Sequence, residues 1–260
     1  MGTLNHFSFG LITPAISYLM ACVGAALGLR CTLRALAATG ASRRNWLFTA
    51  AAAIGSGIWT MHFIAMFGFT VDGTEVRYDV PITLLSLVMA IAVVGVGVFL
   101  VGYGRNRNRA LLLGGLATGI GVAAMHYTGM AAVRLHGEVH YEVGAVVLSV
   151  LIAVAAATAA LWAAVTIRNV WAAGAAALLM GVAVSSMHYT GMAAVQVHMH
   201  PGRAELGGAT PMQFVFPLAV ALGSFLFLAS AFVALSPTAQ ENAAYRQAGE
   251  LTVEEFDRAA

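Results

Sequence analysis

Seven apolar runs, each about 20 residues long, divide this 260-residue chain. That is the length a helix needs to cross the roughly 30 Å hydrocarbon core of a bilayer. The runs cover 7–29, 46–69, 82–101, 110–133, 143–166, 171–195 and 212–235. In hydrocarbon a backbone has to satisfy its own hydrogen bonds, so such runs fold as helices. Only 9% of the residues are charged, against about 25% in soluble domains. The expected fold class is an all-α membrane protein of seven transmembrane helices in the lipid bilayer. Residues 1–235 form the membrane domain and 236–260 a short cytoplasmic tail. In that tail Ser236-Pro237 reads as an N-cap with a first-turn proline, and Thr252 with Glu255 as a capping box.

The basic residues set the expected orientation. All thirteen are arginines. Arg30, Arg34, Arg43, Arg44, Arg105, Arg107, Arg109 and Arg168 follow the first, third and fifth runs, and Arg246 and Arg258 lie in the tail. The opposite connections hold only Arg77, Arg134 and Arg203. Positive charge stays inside, which places the N-terminus outside and the C-terminus inside. No basic segment precedes the first run, so it reads as retained and not as a cleaved signal. A net charge of +2 without a clustered basic face argues against a nucleic-acid surface. Cys22 and Cys31 lack C-x-x-C spacing and read as unpaired helix-surface thiols. There is no nucleophile–base pair and no Gly-rich phosphate loop, so the chain leans away from an enzyme.

One short motif occurs three times. It reads Met61-His62-Phe63-Ile64-Ala65-Met66, then Met125-His126-Tyr127-Thr128-Gly129-Met130, then Met187-His188-Tyr189-Thr190-Gly191-Met192. A glycine precedes each first methionine by six residues: Gly55, Gly119 and Gly181. The odd runs carry Ser17, Ser86 and Ser149 in a shared context, and Tyr78-Asp79-Val80 echoes Tyr141-Glu142-Val143. The repeating unit is therefore a helix hairpin, spanning about 7–69, 80–133 and 142–195, with helix 212–235 left over. Two spans per unit give all three units one orientation, related by an axis along the membrane normal. A pseudo-threefold bundle with the even helices facing one another is the expected arrangement.

Positions four apart lie about 40° apart on a helix, so His62 projects beside Met66, His126 beside Met130 and His188 beside Met192. Each histidine lies seven or eight residues before the outer end of its run, about 10–12 Å deep. Ionisable groups within apolar spans are functional candidates. Thioethers favour Cu(I), and imidazole suits copper, zinc and iron, so a copper site from these histidines and methionines is the sharpest expectation. Ser17, Ser86, Ser149, Tyr127 and Tyr189 are candidate partners behind the ligands. His136, His140, His198 and His200 in the outer loops are placed to pass metal inward. Competing readings are interhelical hydrogen bonding, a proton relay, another transition metal, and haem held by two axial histidines.

The sequence Met-His-Tyr-Thr at 125–128 and 187–190 resembles the motif of the bacterial MHYT domain family, and the resemblance spans about residues 7–235. It implies an integral sensor of the bacterial cytoplasmic (inner) membrane that binds copper and responds to a diatomic gas, O2, CO or NO. Those roles carry over to His62, His126, His188 and the adjoining methionines. The first copy departs from the pattern at Phe63-Ile64, which leaves that repeat without the phenol and hydroxyl. Members often carry cytoplasmic GGDEF or EAL signalling domains. None is visible in this sequence, so the expected output runs through an unknown cytoplasmic signalling partner. Copper storage or transfer, and membrane oxidoreductase chemistry, are the alternative functions.

Overall fold

The computed structural model describes residues 3–167, 169–199 and 206–236. The expected caps at 236–237 and 252–255 lie wholly or partly outside the described residues, as does His200. The apolar runs form α1 (Ile12–Ala37), α2 (Gly40–Met66), α3 (Val80–Tyr103), α4 (Arg107–Ala131), α5 (Val143–Thr166), α6 (Val170–Ala193) and α7 (Phe216–Leu235). A single π-helical turn over Pro211–Val215 leads into α7. Among the described residues, seven helices are long and apolar enough to cross a membrane.

Six short strands accompany them among the described residues: β1 (Leu4–Asn5), β2 (Thr70–Val71), β3 (Arg77–Tyr78), β4 (Val133–Arg134), β5 (Gly137–Tyr141) and β6 (Val195–Met199). They pair antiparallel as β1–β2, β3–β4 and β5–β6. Each ribbon joins the segment before an odd helix to the segment after the next even helix, and so closes one hairpin repeat upon itself. A matched backbone hydrogen bond reinforces each closure: Ser8 to Gly68 at 3.1 Å, Asp79 to Ala132 at 2.8 Å and Glu142 to Ala194 at 2.8 Å. In all three the accepting carbonyl is the second residue past the later methionine of the motif.

These ribbons shorten the even helices. α2, α4 and α6 end at Met66, Ala131 and Ala193, two or three residues before the apolar runs do. The residues beyond are apolar yet give their backbone groups to turn and strand partners. The histidines consequently lie four or five residues from the helix ends, about 6–8 Å along the axis, not the 10–12 Å expected.

Successive helices α1 to α6 pack in order, and α6 packs back on α1 to close a ring, while α7 lies outside it against α1 and α2. The repeated glycines form the joints between units. A methyl group at Gly55 would collide with the backbone of Ile91 on α3, and one at Gly119 with the backbone of Val154 on α5. At Gly181 it would strike Cys22 and Tyr18 on α1. Cys22, Ile91 and Val154 each lie five residues after the repeat serine, so one contact recurs around the ring. Small residues permit this close approach where lipid offers helices no hydrophobic drive to associate. Cys22 and Cys31 are unpaired but buried within the bundle, not on a helix surface.

Caps distinguish the repeats. Asp79 accepts from the Ile82 amide at 3.1 Å, and Glu142 accepts from Gly144 and Ala145 at 2.8 and 2.6 Å. Arg134 donates to Asp79 at 2.8 Å. That hydrogen bond, with the Ile82 amide, holds the Asp79 carboxyl below its usual range. The Ala145 and Gly144 amides do the same for Glu142. Asn106 and Asn169 cap α4 and α6. Leu11 and Thr39 make no such bond at the starts of α1 and α2. On the opposite face Arg34 caps the end of α7, donating to the carbonyls of Val233 at 2.8 Å and Ser236 at 2.7 Å. The same guanidinium lies over the ring of Trp46.

Candidate metal centre

The three even helices bring their histidines together on the ring axis. His62 Nδ1 lies 3.0 Å from His188 Nδ1 and 3.1 Å from His126 Nδ1. Ring centroids are 4.9, 5.0 and 5.2 Å apart, and the planes stand at 81–85° to one another. All three side chains are buried, at 1% exposure or less. Among the described residues this is the one group of three His, Cys, Asp or Glu side chains with ligand atoms within 4.8 Å of one another.

The close contacts carry a chemical constraint. A neutral imidazole nitrogen offers one in-plane position, either an N–H or a lone pair. His62 Nδ1 therefore makes one well-aligned hydrogen bond, yet it faces two nitrogens at hydrogen-bonding distance. A cation on the axis would satisfy all three lone pairs at once. Metal–imidazole bonds of about 2.0–2.1 Å would set trigonal ligands about 3.5 Å apart, an outward shift of a few tenths of an ångström per ring. The donor set fits a single soft or borderline ion. It does not fit a porphyrin, which would have to slide between imidazoles already in contact.

The outward nitrogens show what holds the rings. His62 Nε2 lies over Gly129 of α4 and His126 Nε2 over Gly191 of α6. A methyl at either glycine would come within 2.6 Å of that nitrogen. Both Nε2 atoms are buried without a hydrogen-bond partner among the described residues. The motif glycine is thus the seat for the imidazole of a neighbouring repeat, and the first copy has Ala65 at this position. Sequence reasoning missed this role. Its signal was the glycine at the fifth motif position in two copies of three.

The serines are buried, and Ser86 and Ser149 bond to aromatic residues; none of the three makes a hydrogen bond to an imidazole among the described residues. Ser17, Ser86 and Ser149 each donate to the carbonyl three residues earlier, at 2.9, 2.7 and 2.8 Å. Their oxygens remain free to accept. Ser149 takes the Tyr127 hydroxyl at 2.7 Å. In the first repeat Phe63 has no hydroxyl, and Trp59 one turn earlier donates its indole N–H to Ser86 at 3.0 Å. Trp59 is a second residue that sequence reasoning passed over. In the third repeat Tyr189 is next to Ser17, but its buried hydroxyl closes no hydrogen bond.

All six motif methionines are buried. Met66, Met130 and Met192 follow the histidines by one turn towards the strands. His6, which precedes the first run and which sequence reasoning passed over, sets its ring against that of Phe69 at 5.5 Å, tilted by 32°, and lies within electrostatic reach of His188. Its Nδ1 is buried without a partner, and burial lowers its pKa. Among the loop histidines, His136 is tied to Thr74 through its backbone N–H and Nδ1. His140 and His198 face each other across β5–β6 at 5.0 Å, beside Glu138. Burial pushes the Tyr141 phenol up to about 12, and its ring meets Tyr127 edge-on at 5.5 Å.

Seven apolar helices, six of them closed in a ring around one buried imidazole cluster, define a multi-pass membrane protein whose one cluster of three potential metal ligands, among the described residues, lies on the ring axis. The chain belongs to the MHYT family: residues 55–115 and 119–177 match the repeat described as the bacterial signalling protein N-terminal repeat. Both matches begin at the inter-repeat glycines Gly55 and Gly119. The bifunctional diguanylate cyclase/cyclic di-GMP phosphodiesterase MucR of Pseudomonas aeruginosa is 40% identical over 194 residues, 73% of this chain and 28% of the relative. The cyclic di-GMP phosphodiesterase NbdA of the same organism is 37% identical over 76% of this chain and 26% of the relative. Signaling protein YkoW of Bacillus subtilis is 28% identical over 74% and 25%. The chain thus spans about a quarter of the length of these relatives. No solved structure matches it. Family and relatives support a membrane signalling role.

Proposed function

We propose that this chain is a copper-binding membrane sensor of a diatomic gas or redox signal. The observation that carries the reading is the convergence of three buried Nδ1 atoms, with those of His188 and His126 at 3.0 and 3.1 Å from that of His62. Imidazole and nearby thioether are neutral ligands that suit a low-dielectric site, and together they favour copper. His62, His126 and His188 would hold the ion, with Met66, Met130 and Met192 on its strand side. Such an ion supplies a redox-active centre for a small ligand. The protein keeps water and anions from it, since none of the three imidazoles is exposed beyond 1%. That enclosure favours a resident ion over one handed to an acceptor, and the ring-to-ring contact favours a bare ion over haem.

By the positive-inside rule, the arginine-rich loops support an orientation with the strand ribbons outside and the α1–α2, α3–α4 and α5–α6 connections inside. A signal then leaves through the inner ends of the helices to a cytoplasmic partner or to a further domain. MucR and NbdA carry cyclic di-GMP enzymes by name, which makes cyclic di-GMP turnover the first output to examine. Elemental analysis of detergent-purified protein, wild type against a variant with His62, His126 and His188 all changed to alanine, tests the proposal. Copper in the wild type and its loss in the variant are expected; equal copper in both contradicts it.

A further inference from the structure

An internal cavity of about 60 Å³ begins directly beneath the imidazole cluster, on the side away from the strands. Ile58, Val122 and Val184 line it, and each lies four residues before one of the three histidines. Met187, next to His188, lines it as well. On α1 the lining runs from Ala21 to Thr32, about 16 Å at 1.5 Å per residue. The void therefore follows the axis from the histidines towards the arginine-bearing face.

Its chemistry excludes polar occupants. Every lining group is aliphatic or thioether except the hydroxyls of Thr32 and Thr118. Both already donate to backbone carbonyls, Thr32 to Gly28 at 2.8 Å and Thr118 to Val93 at 3.3 Å. A buried water needs two to four polar partners, and apolar cavities of this kind stay dry and take up apolar atoms. Space is ample, since one water needs only about 10–15 Å³. The less buried part of the lining is concentrated at one place. Five lining residues are half-buried, and four of them (Ala156, Ala160, Met180 and Val184) lie on α5 and α6 at four-residue spacing. An entry route between these two helices would open to the lipid, where small apolar molecules dissolve.

We infer that the axial cavity is a binding site for one small apolar molecule of diatomic-gas size, filled from the bilayer between α5 and α6 and ending at the imidazole cluster. The sensor reading is needed only to connect occupancy with a signal; occupancy itself follows from the cavity. Xenon is the probe, measured by 129Xe NMR titration of the full chain in detergent. Wild type is expected to show one saturable site. Ala157→Leu, which places an isobutyl group in the void, should weaken it roughly tenfold or more by removing the contacts xenon makes with the wall. Leu161→Ala, which enlarges the void, should bind xenon at least as tightly as wild type. The absence of a saturable wild-type site overturns the inference, as does undiminished binding in a folded Ala157→Leu variant or weaker binding in Leu161→Ala. Copper measured on the same samples separates the two proposals. The triple histidine-to-alanine variant should lose copper and keep its xenon site, while Ala157→Leu should do the reverse.

Discussion

His62 rests on Gly129. The imidazole from one repeat uses the missing side chain of the next, and a methyl placed there would come within 2.6 Å of Nε2. His126 stands in the same relation to Gly191. The histidines are thus positioned by glycines of neighbouring units, and the ring of three hairpins builds its centre jointly.

Gly129→Ala and Gly191→Ala should displace one imidazole each and cost about 1–3 kcal/mol, the usual penalty of overpacking a tight core. Gly95→Ala is the control, since its methyl would meet only Ala51 at 3.7 Å, an ordinary contact. Metal content and thermal unfolding in detergent check this. Both should fall in the first two variants and hold in the third.

The serines should differ among repeats. Ser149→Ala strands the Tyr127 hydroxyl and Ser86→Ala strands the Trp59 N–H, each costing about 1–3 kcal/mol for a buried donor left unpaired. Ser17→Ala should cost less, because the neighbouring Tyr189 hydroxyl closes no bond. Unfolding midpoints of the three variants give the order.

Asp79 gives a pH dependence of defined sign. Its pKa is depressed in the fold by Arg134 and the Ile82 amide, so the unfolded chain binds the proton more tightly. Its contribution is complete above the unfolded value of about 3.9 and is lost as pH falls from there through the folded value. Asp79→Asn should flatten that acid limb. Melting temperatures of both proteins between about pH 3 and 6 check this, and a wild-type curve that rises on acidification in this range contradicts it.

Arg34 should hold the end of α7. Its guanidinium spans the carbonyls of Val233 and Ser236, a two-point contact that a lysine ammonium does not reproduce. Arg34→Lys and Arg34→Ala should both speed amide hydrogen exchange at residues 229–236, with α1 to α6 unchanged.

Much of this architecture was legible in the sequence. The apolar runs gave seven helices, and the spacing of the motif gave three hairpins in one orientation with their histidines at a common level. The ends of the even helices were not legible, because residues such as Val133 and Val195 are as apolar as the helices they follow. Only pairing with β3 and β5 shows that they are strands. Repetition also identifies which residues are equivalent without saying which neighbour each one touches. For that reason Ser86 and Ser149 read as partners of histidine, while the structure gives them to Trp59 and Tyr127. The substitution of Phe63 for tyrosine, and its compensation by Trp59 four residues earlier, likewise depends on a contact between two repeats.

The central claim is that three imidazoles form one centre. X-ray absorption on copper-loaded, detergent-purified protein tests it most directly. The account predicts three nitrogen scatterers from imidazole at about 2.0–2.1 Å, reduced in number when His126 alone is changed to alanine. A copper environment unchanged by that substitution, or a haem spectrum in place of a bare ion, would contradict it.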